Sequence, residues 1–250
     1  MVWHAAYSPN GGLLAVGANN VRVWDVHPSP TPAKPTATVH VPVGVWGFLC
    51  FSGDNQFLAA ADWSAPVRLW ETQGQRIVRK LKASRCAAFA PDGRSLAICN
   101  PDDNTLRIWG VADNQEIAAF PPQPGKVRTA VFAPDGQTVG TGDEAGRVRL
   151  WNIARQQMES VFSGHTAWVT SLSFSPDGKT LASTAGDGTI KLWHMDIREE
   201  VATLKAHRGP VTSAAFSPDG NTLATTGADG KIRLWQAATL ADADGGHRDE

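Results

Sequence analysis

The sequence predicts an all-β fold, a β-propeller of six four-stranded antiparallel blades. Three observations carry this reading. A Trp recurs at the end of an alternating apolar/basic segment, a turn tripeptide precedes each such segment, and helical periodicity is absent throughout. Composition agrees: the 250 residues include 24 Gly and 10 Trp but 1 Tyr. Many glycines imply many turns, and Trp so far in excess of Tyr implies one Trp-bearing unit used repeatedly.

The first anchor reads VRVW at Trp24, VRLW at Trp70, LRIW at Trp109, VRLW at Trp151, IKLW at Trp193 and IRLW at Trp235, at intervals of 39 to 46 residues. The second reads YSPNG from Tyr7, FSGDN from Phe51, FAPDG from Phe89 and Phe132, and FSPDG from Phe174 and Phe216. In PDG and PNG, Pro presets φ, Asp or Asn bonds its own backbone, and Gly takes a positive φ. Before the turn the chain alternates, as in VTSLSFS from Val169 to Ser175, which is a strand with one buried face. A short apolar run follows, such as Thr180 to Thr184, then a Gly/Asp turn, the Trp strand, and a fourth strand such as Glu200 to Leu204. The units run approximately 1–42, 43–82, 83–122, 123–163, 164–205 and 206–250. One such sheet has two apolar faces and cannot stand alone; stacking around an axis buries both.

Charge and cysteine usage narrow the class. The net charge is −1, so nothing draws the whole chain to nucleic acid or an anionic membrane. Cys50, Cys86 and Cys99 sit singly in apolar stretches without metal spacing; they are expected as buried thiols in a reducing, cytoplasmic setting. The opening MVWHAAYSPNGG has neither a basic nor an apolar leader region, so no signal peptide is expected. No apolar run approaches the ~18 residues that a spanning helix needs.

The repeats resemble the WD-repeat family over essentially the whole chain. The match is strongest in GHTAWVTSLSFSPDGKTLASTAGDGTIKLW from Gly164 and HRGPVTSAAFSPDGNTLATTGADGKIRLW from His207. The closing Trp-Asp pair survives only as Trp24–Asp25. The resemblance implies a structural tetrad of His, hydroxyl, Asp and Trp: His165, Ser183, Asp187 and Trp193 in unit five, and His207, Thr225, Asp229 and Trp235 in unit six. Such a buried chain of hydrogen bonds fixes how loops and strands of a blade meet. The other units depart from it. Unit four has Gln123 near the His position and Ala145 for Asp; unit three has Asp103, but Cys99 for the hydroxyl and no His; unit two has Ser64 and unit one Ala18 at the Asp position. The first half is therefore expected to be less rigid than units five and six.

No catalytic residue, cofactor or metal is expected. His165, Asp187 and Ser183 could pass for a base, its orienting carboxylate and a nucleophile, but the same spacing recurs in unit six, which fits a shared structural bond better than two identical active sites. His4, His27, His40 and His194 show no ligand spacing, and no phosphate-binding Gly-rich loop is present. A protein or peptide ligand is the partner class that the resemblance implies, on the face bearing the loops between blades. Just before first strands lie Val45 with Trp46, Ala83 with Ser84, Lys126 with Arg128, Trp168 and Pro210, and an inner turn carries Asp62 and Trp63. Exposed Trp and Arg make typical anchors, so Trp63 and Trp168 lead, followed by Trp46, Asp62, Lys126, Arg128 and Pro210. HPSPTPAKP from His27 to Pro35 reads as an extended inter-strand loop or a polyproline ligand.

The expected function is a non-enzymatic protein-interaction scaffold; the alternative is a regulatory module of a larger signalling protein whose chemistry lies outside this chain. Closure stays open between two readings. ATL after Trp235 would give a short fourth strand, and Gly246–His247 resembles the opening of another repeat, so the six units read either as part of a larger propeller or as a complete set. A complete set either closes by contact or self-associates through open ends.

Overall fold

The computed structural model describes residues 4–17, 20–26, 37–39, 47–62, 66–83 and 86–236. Among them every regular element is a strand, and the strands form six small antiparallel sheets arranged as a six-bladed β-propeller. Blade one runs from strand His4–Tyr7 to Ala37–Val39, blade two from Gly47–Phe51 to Arg76–Ala83, and blade three from Ala87–Phe89 to Glu116–Ala119. Blade four runs from Val127–Phe132 to Gln157–Phe162 and blade five from Val169–Phe174 to Glu199–Lys205. Blade six has three strands among the described residues, Val211–Phe216, Thr222–Gly227 and Ile232–Gln236. The fourth strand expected after Trp235 lies outside them, as does the Pro-rich stretch.

Within each sheet the strands pair in chain order, and first strands of consecutive blades are neighbours, so they line the axis. The turn after each first strand works as its sequence requires. In blade five Ser175 Oγ donates to Asp177 Oδ1 at 2.6 Å, the Lys179 N–H donates to the same oxygen at 3.0 Å, and Gly178 takes a φ of 72°. In blades two to five the second strands are buried on both faces, which explains their small residues: in blade five Leu181, Ala182, Ser183 and Ala185 are fully enclosed. A register shift falls at the repeat Trp between the third and fourth strands of blades two to five, a bulge that adds local twist.

The core lies between blades. Val148, Leu150 and Phe162 of blade four pack with Val169, Leu172, Phe174, Leu181 and Trp193 of blade five. Phe162 stacks on Trp193 with ring centroids 4.8 Å apart, and Phe120 meets Trp151 at 5.2 Å, so the end of one blade covers the Trp of the next. Each aromatic pair adds about 0.5–1.5 kcal/mol beyond the area it buries. Blade six differs: Ile232 is 72% and Leu234 68% exposed, whereas Ile190 of blade five is fully buried under blade six. The thiols Cys86 and Cys99 are buried, and burial pushes the Cys50 thiol up to about 12. No helix of the described residues is long and apolar enough to cross a membrane.

Candidate functional site

Blade five brings His165, Ser183, Asp187 and Trp193 together. His165 precedes the first strand, Ser183 lies mid-way along the second, Asp187 opens the turn and Trp193 ends the third. Trp193 Nε1 donates to Ser183 Oγ at 2.8 Å, and His165 Nε2 sits 2.7 Å from the same oxygen. On the other side of the ring, His165 Nδ1 lies 3.3 Å from Asp187 Oδ2 and 3.1 Å from Thr189 Oγ1. Burial holds the His165 pKa below its ordinary value, against the pull of Asp187. Burial alone would raise Asp187, yet its pKa falls, because Thr189 Oγ1 and the N–H groups of Thr166 and Thr189 donate to its carboxylate. Ser183 is fully buried, and the arrangement ties the segment before the first strand to the second and third strands.

Blade six repeats the geometry. His207 Nε2 lies 3.1 Å from Thr225 Oγ1, Trp235 Nε1 donates to that oxygen at 3.0 Å, and His207 Nδ1 lies 2.8 Å from Asp229 Oδ1. Arg233 adds a second partner, its Nη1 3.1 Å from Asp229 Oδ2. The Asp229 carboxyl is held well below the usual range: burial opposes this, and hydrogen bonds from His207, Arg233 and two backbone N–H groups outweigh it.

Blade four keeps more of the network than its sequence promises. Trp151 Nε1 donates to Thr141 Oγ1 at 2.9 Å, and Thr141 donates to Gln123 Oε1 at 3.1 Å, so Gln123 takes the place of the imidazole. Because Ala145 stands where Asp187 stands in blade five, Gln123 Nε2 is left buried without a partner. A carboxylate is present two residues earlier: Asp143 accepts from Arg149 Nη1 at 2.6 Å and from the N–H groups of Ala145 and Arg147, each at 2.9 Å. Both members of this ion pair are almost fully buried, and spacing from the repeat Trp gave no signal for it.

Blade three corrects the expected position of its hydroxyl substitute. Counting back from Trp109 gives Cys99, but the strand register puts Ile98 opposite Arg107, as Ser183 lies opposite Lys191. The cause is one extra residue in the turn between the second and third strands, which lengthens the count without moving the strands. Trp109 Nε1 is accordingly buried with no acceptor. Asp103 does hold its turn, accepting from Thr105 Oγ1 at 2.6 Å and from Arg107 Nη2 at 2.7 Å. In blades one and two the register position belongs to Val16 and Ala60, so no hydroxyl is available there; Ala18 and Ser64 lie outside the described residues.

At one end of the propeller, Lys126, Trp168 and Pro210 occupy the same position in successive blades. Their carbonyls accept the N–H groups of Glu144, Gly186 and Ala228 at 2.9, 2.9 and 2.8 Å. Trp168 is 41% exposed. Its ring lies over Gly186, where a Cβ would come within 2.6 Å of it, and the Arg128 guanidinium of the preceding blade stands 5.9 Å from its centroid. Arg128 also approaches Glu144 at 3.5 Å. The structure thus joins Arg128 to Trp168 and sets Lys126 and Pro210 on the same rim. Trp46 and Trp63 lie outside the described residues; Asp62 is described through its backbone, paired with Gly47. Among the described residues no group of three His, Cys, Asp or Glu could hold a metal ion.

Six small antiparallel sheets with recurrent buried Trp-centred networks define a repeat protein of the propeller class. The family model for "WD domain, G-beta repeat" matches residues 76–110, 114–152, 156–194 and 198–236, more than half of the chain, and the chain belongs to this family. Over 141 residues, 54% of this chain, it is 30% identical to WD repeat-containing protein sll1491 of Synechocystis, and the match spans 39% of that protein. Over 103 residues, 40% of this chain, it is 29% identical to telomerase protein component 1 of Rattus norvegicus, of which the match spans 4%. The mouse protein of the same name gives the same identity and coverage.

Proposed function

We propose that this chain is a non-enzymatic scaffold that binds a protein or peptide on the rim bearing Lys126, Trp168 and Pro210. The observation that carries the reading is Trp168: a large ring, 41% exposed, fixed from below by Gly186 and flanked by Arg128. A rigid aromatic beside a guanidinium loses little entropy on binding and offers both apolar area and charge, the usual makeup of an interface anchor. The fully buried Ser183 and the structural partners of both histidines support a role without catalysis. Cys86 and Cys99 lie side by side as free thiols, which supports a reducing, cytoplasmic setting.

The test is affinity capture with the Trp168→Ala and Arg128→Ala variants, read by quantitative mass spectrometry of the captured proteins. Loss of a defined set of partners in both variants, with folding unchanged, supports the reading. Capture identical to the parent chain sinks this rim as the binding face.

A second reading has its own support: the matches span 39% and 4% of the relatives' lengths, as expected of a WD module within larger polypeptides. On that reading the uncovered sheet of blade six, with Ile232 and Leu234 facing out, is covered by another blade-like sheet, from elsewhere in the polypeptide or from a second copy. Light scattering on the 250-residue chain separates the two, since concentration-dependent oligomers that Ile232→Glu abolishes indicate a second copy.

A further inference from the structure

Blade four carries a groove that blade five lacks. In blade five, Lys191 Nζ lies against the repeat Trp and donates to Glu200 at 2.8 and 2.9 Å and to Thr203 Oγ1 at 2.7 Å, so the space beside the outer strands is filled by a closed polar bridge. The strand register puts Met158 where Glu200 stands, opposite the repeat Trp, and Val161 where Thr203 stands, opposite Arg149. Both polar partners of the bridge are thus apolar in blade four. The cation is withdrawn as well, because Arg149 turns inward to Asp143. The connecting segment is Pro121, Pro122, Gln123 and Pro124 in place of Ser163, Gly164, His165 and Thr166.

What remains is a groove of about 420 Å³ walled by Pro122, Trp151, Met158 and Val161. That volume falls within the roughly 300–1,000 Å³ typical of small-ligand sites. Met158 is 49% and Val161 42% exposed, at the positions where the outer strand of blade five carries the polar partners of Lys191. Two of the residues that line the groove carry donors without partners. Gln123 Nε2 is buried with nothing to bond, and the exposed Arg147 guanidinium has no ion pair among the described residues. No carboxylate lines it. Leaving a buried N–H without a partner is costly, so a ligand oxygen that satisfies it gains affinity.

We propose that this groove binds the C-terminal residue of a peptide, an apolar side chain with its free α-carboxylate. The apolar walls and the two donors share one short groove, so the ligand must carry its apolar and anionic groups close together, and a C-terminal Phe or Leu does so on one residue. The side chain lies against Met158, Val161 and Pro122, and the carboxylate accepts from Gln123 Nε2 and Arg147. This site is on the flank of blade four and is independent of the rim at Trp168.

The experiment titrates N-acetyl-phenylalanine into the whole chain and follows the Met158 methyl, the Trp151 indole and the Gln123 side-chain amide by NMR. N-acetyl-phenylalanine amide, the same body without the charge, is the control. Saturable shifts at these three groups are expected, with the amide weaker by about tenfold, the loss of one charge-assisted hydrogen bond. Arg147→Ala, a change at an exposed position, should weaken the acid toward the amide and leave the amide unchanged. Met158→Glu, which restores the blade-five residue, should abolish both. Absence of shifts at these groups, equal binding of acid and amide, or binding that survives Met158→Glu overturns the proposal.

Discussion

The indole Nε1 of Trp109 is buried without an acceptor because Ile98 stands where a hydroxyl would meet it. In blade five the equivalent N–H of Trp193 donates to Ser183 at 2.8 Å. Trp109→Phe therefore removes an unsatisfied donor, while Trp193→Phe removes a made bond. Urea denaturation should show Trp193→Phe to be the more destabilising by about 1–3 kcal/mol. Equal costs would mean that the two indoles have equivalent environments.

The Asp143–Arg149 pair is the most deeply buried ion pair of the described residues. Asp143→Ala leaves a guanidinium uncompensated in the interior and should cost about 3–5 kcal/mol. Arg76→Ala breaks a pair of the same kind with Glu71 at 3.0 Å on the surface, where the loss should stay within about 0–1 kcal/mol. A similar shift in denaturation midpoint for both variants would contradict the burial argument.

Stability should fall with acid in two stages. His165 titrates lower in the folded chain than its ordinary value of about 6.5, so the unfolded chain takes up its proton first and stability drops as pH falls from about 6.5 toward the depressed folded value. Asp187, also depressed, stabilises the fold above its ordinary carboxylate pKa, and this contribution is lost as pH falls further. His165→Gln copies the residue that blade four uses at this position. Thermal melting across this range should then show a smaller first stage, to which His4 also contributes, and keep the second.

Hydrogen exchange should be slowest in blade five, along Thr180–Ala185 and Thr189–His194, which blades four and six cover on either side. The third strand of blade six has the same tetrad, but none of the described residues covers its outer face, so Ile232–Gln236 should exchange faster. A tetrad that sets rigidity by itself would protect both strands equally.

Strand periodicity, turn tripeptides and the repeat Trp made the blades legible in the sequence because each is a local signal: Pro-Asp-Gly sets its own turn, and alternation sets its own face. The networks were legible only where spacing was undisturbed. In blade three one added turn residue shifted the count from Ile98 to Cys99, since register is fixed by pairing across strands and not by distance along the chain. Asp143 carries no local signal for a related reason: it reaches Arg149 on the adjacent strand from outside the repeat's usual Asp position. The groove of blade four was invisible for a third reason. It arises from Met158, Val161 and the inward turn of Arg149 acting together, and none of the three stands out alone.

The stack of Phe162 on Trp193 sets where the propeller can be cut and rejoined. The two rings belong to different sheets, yet both fall within the matched stretch 156–194. A segment excised at sheet boundaries would separate Trp151 and Trp193 from their aromatic covers, whereas one excised between the third and fourth strands carries lid and base together. Duplication, deletion or transplantation of whole modules in that offset frame preserves both of these cross-blade contacts, so the interlock that holds neighbouring blades together also makes them exchangeable.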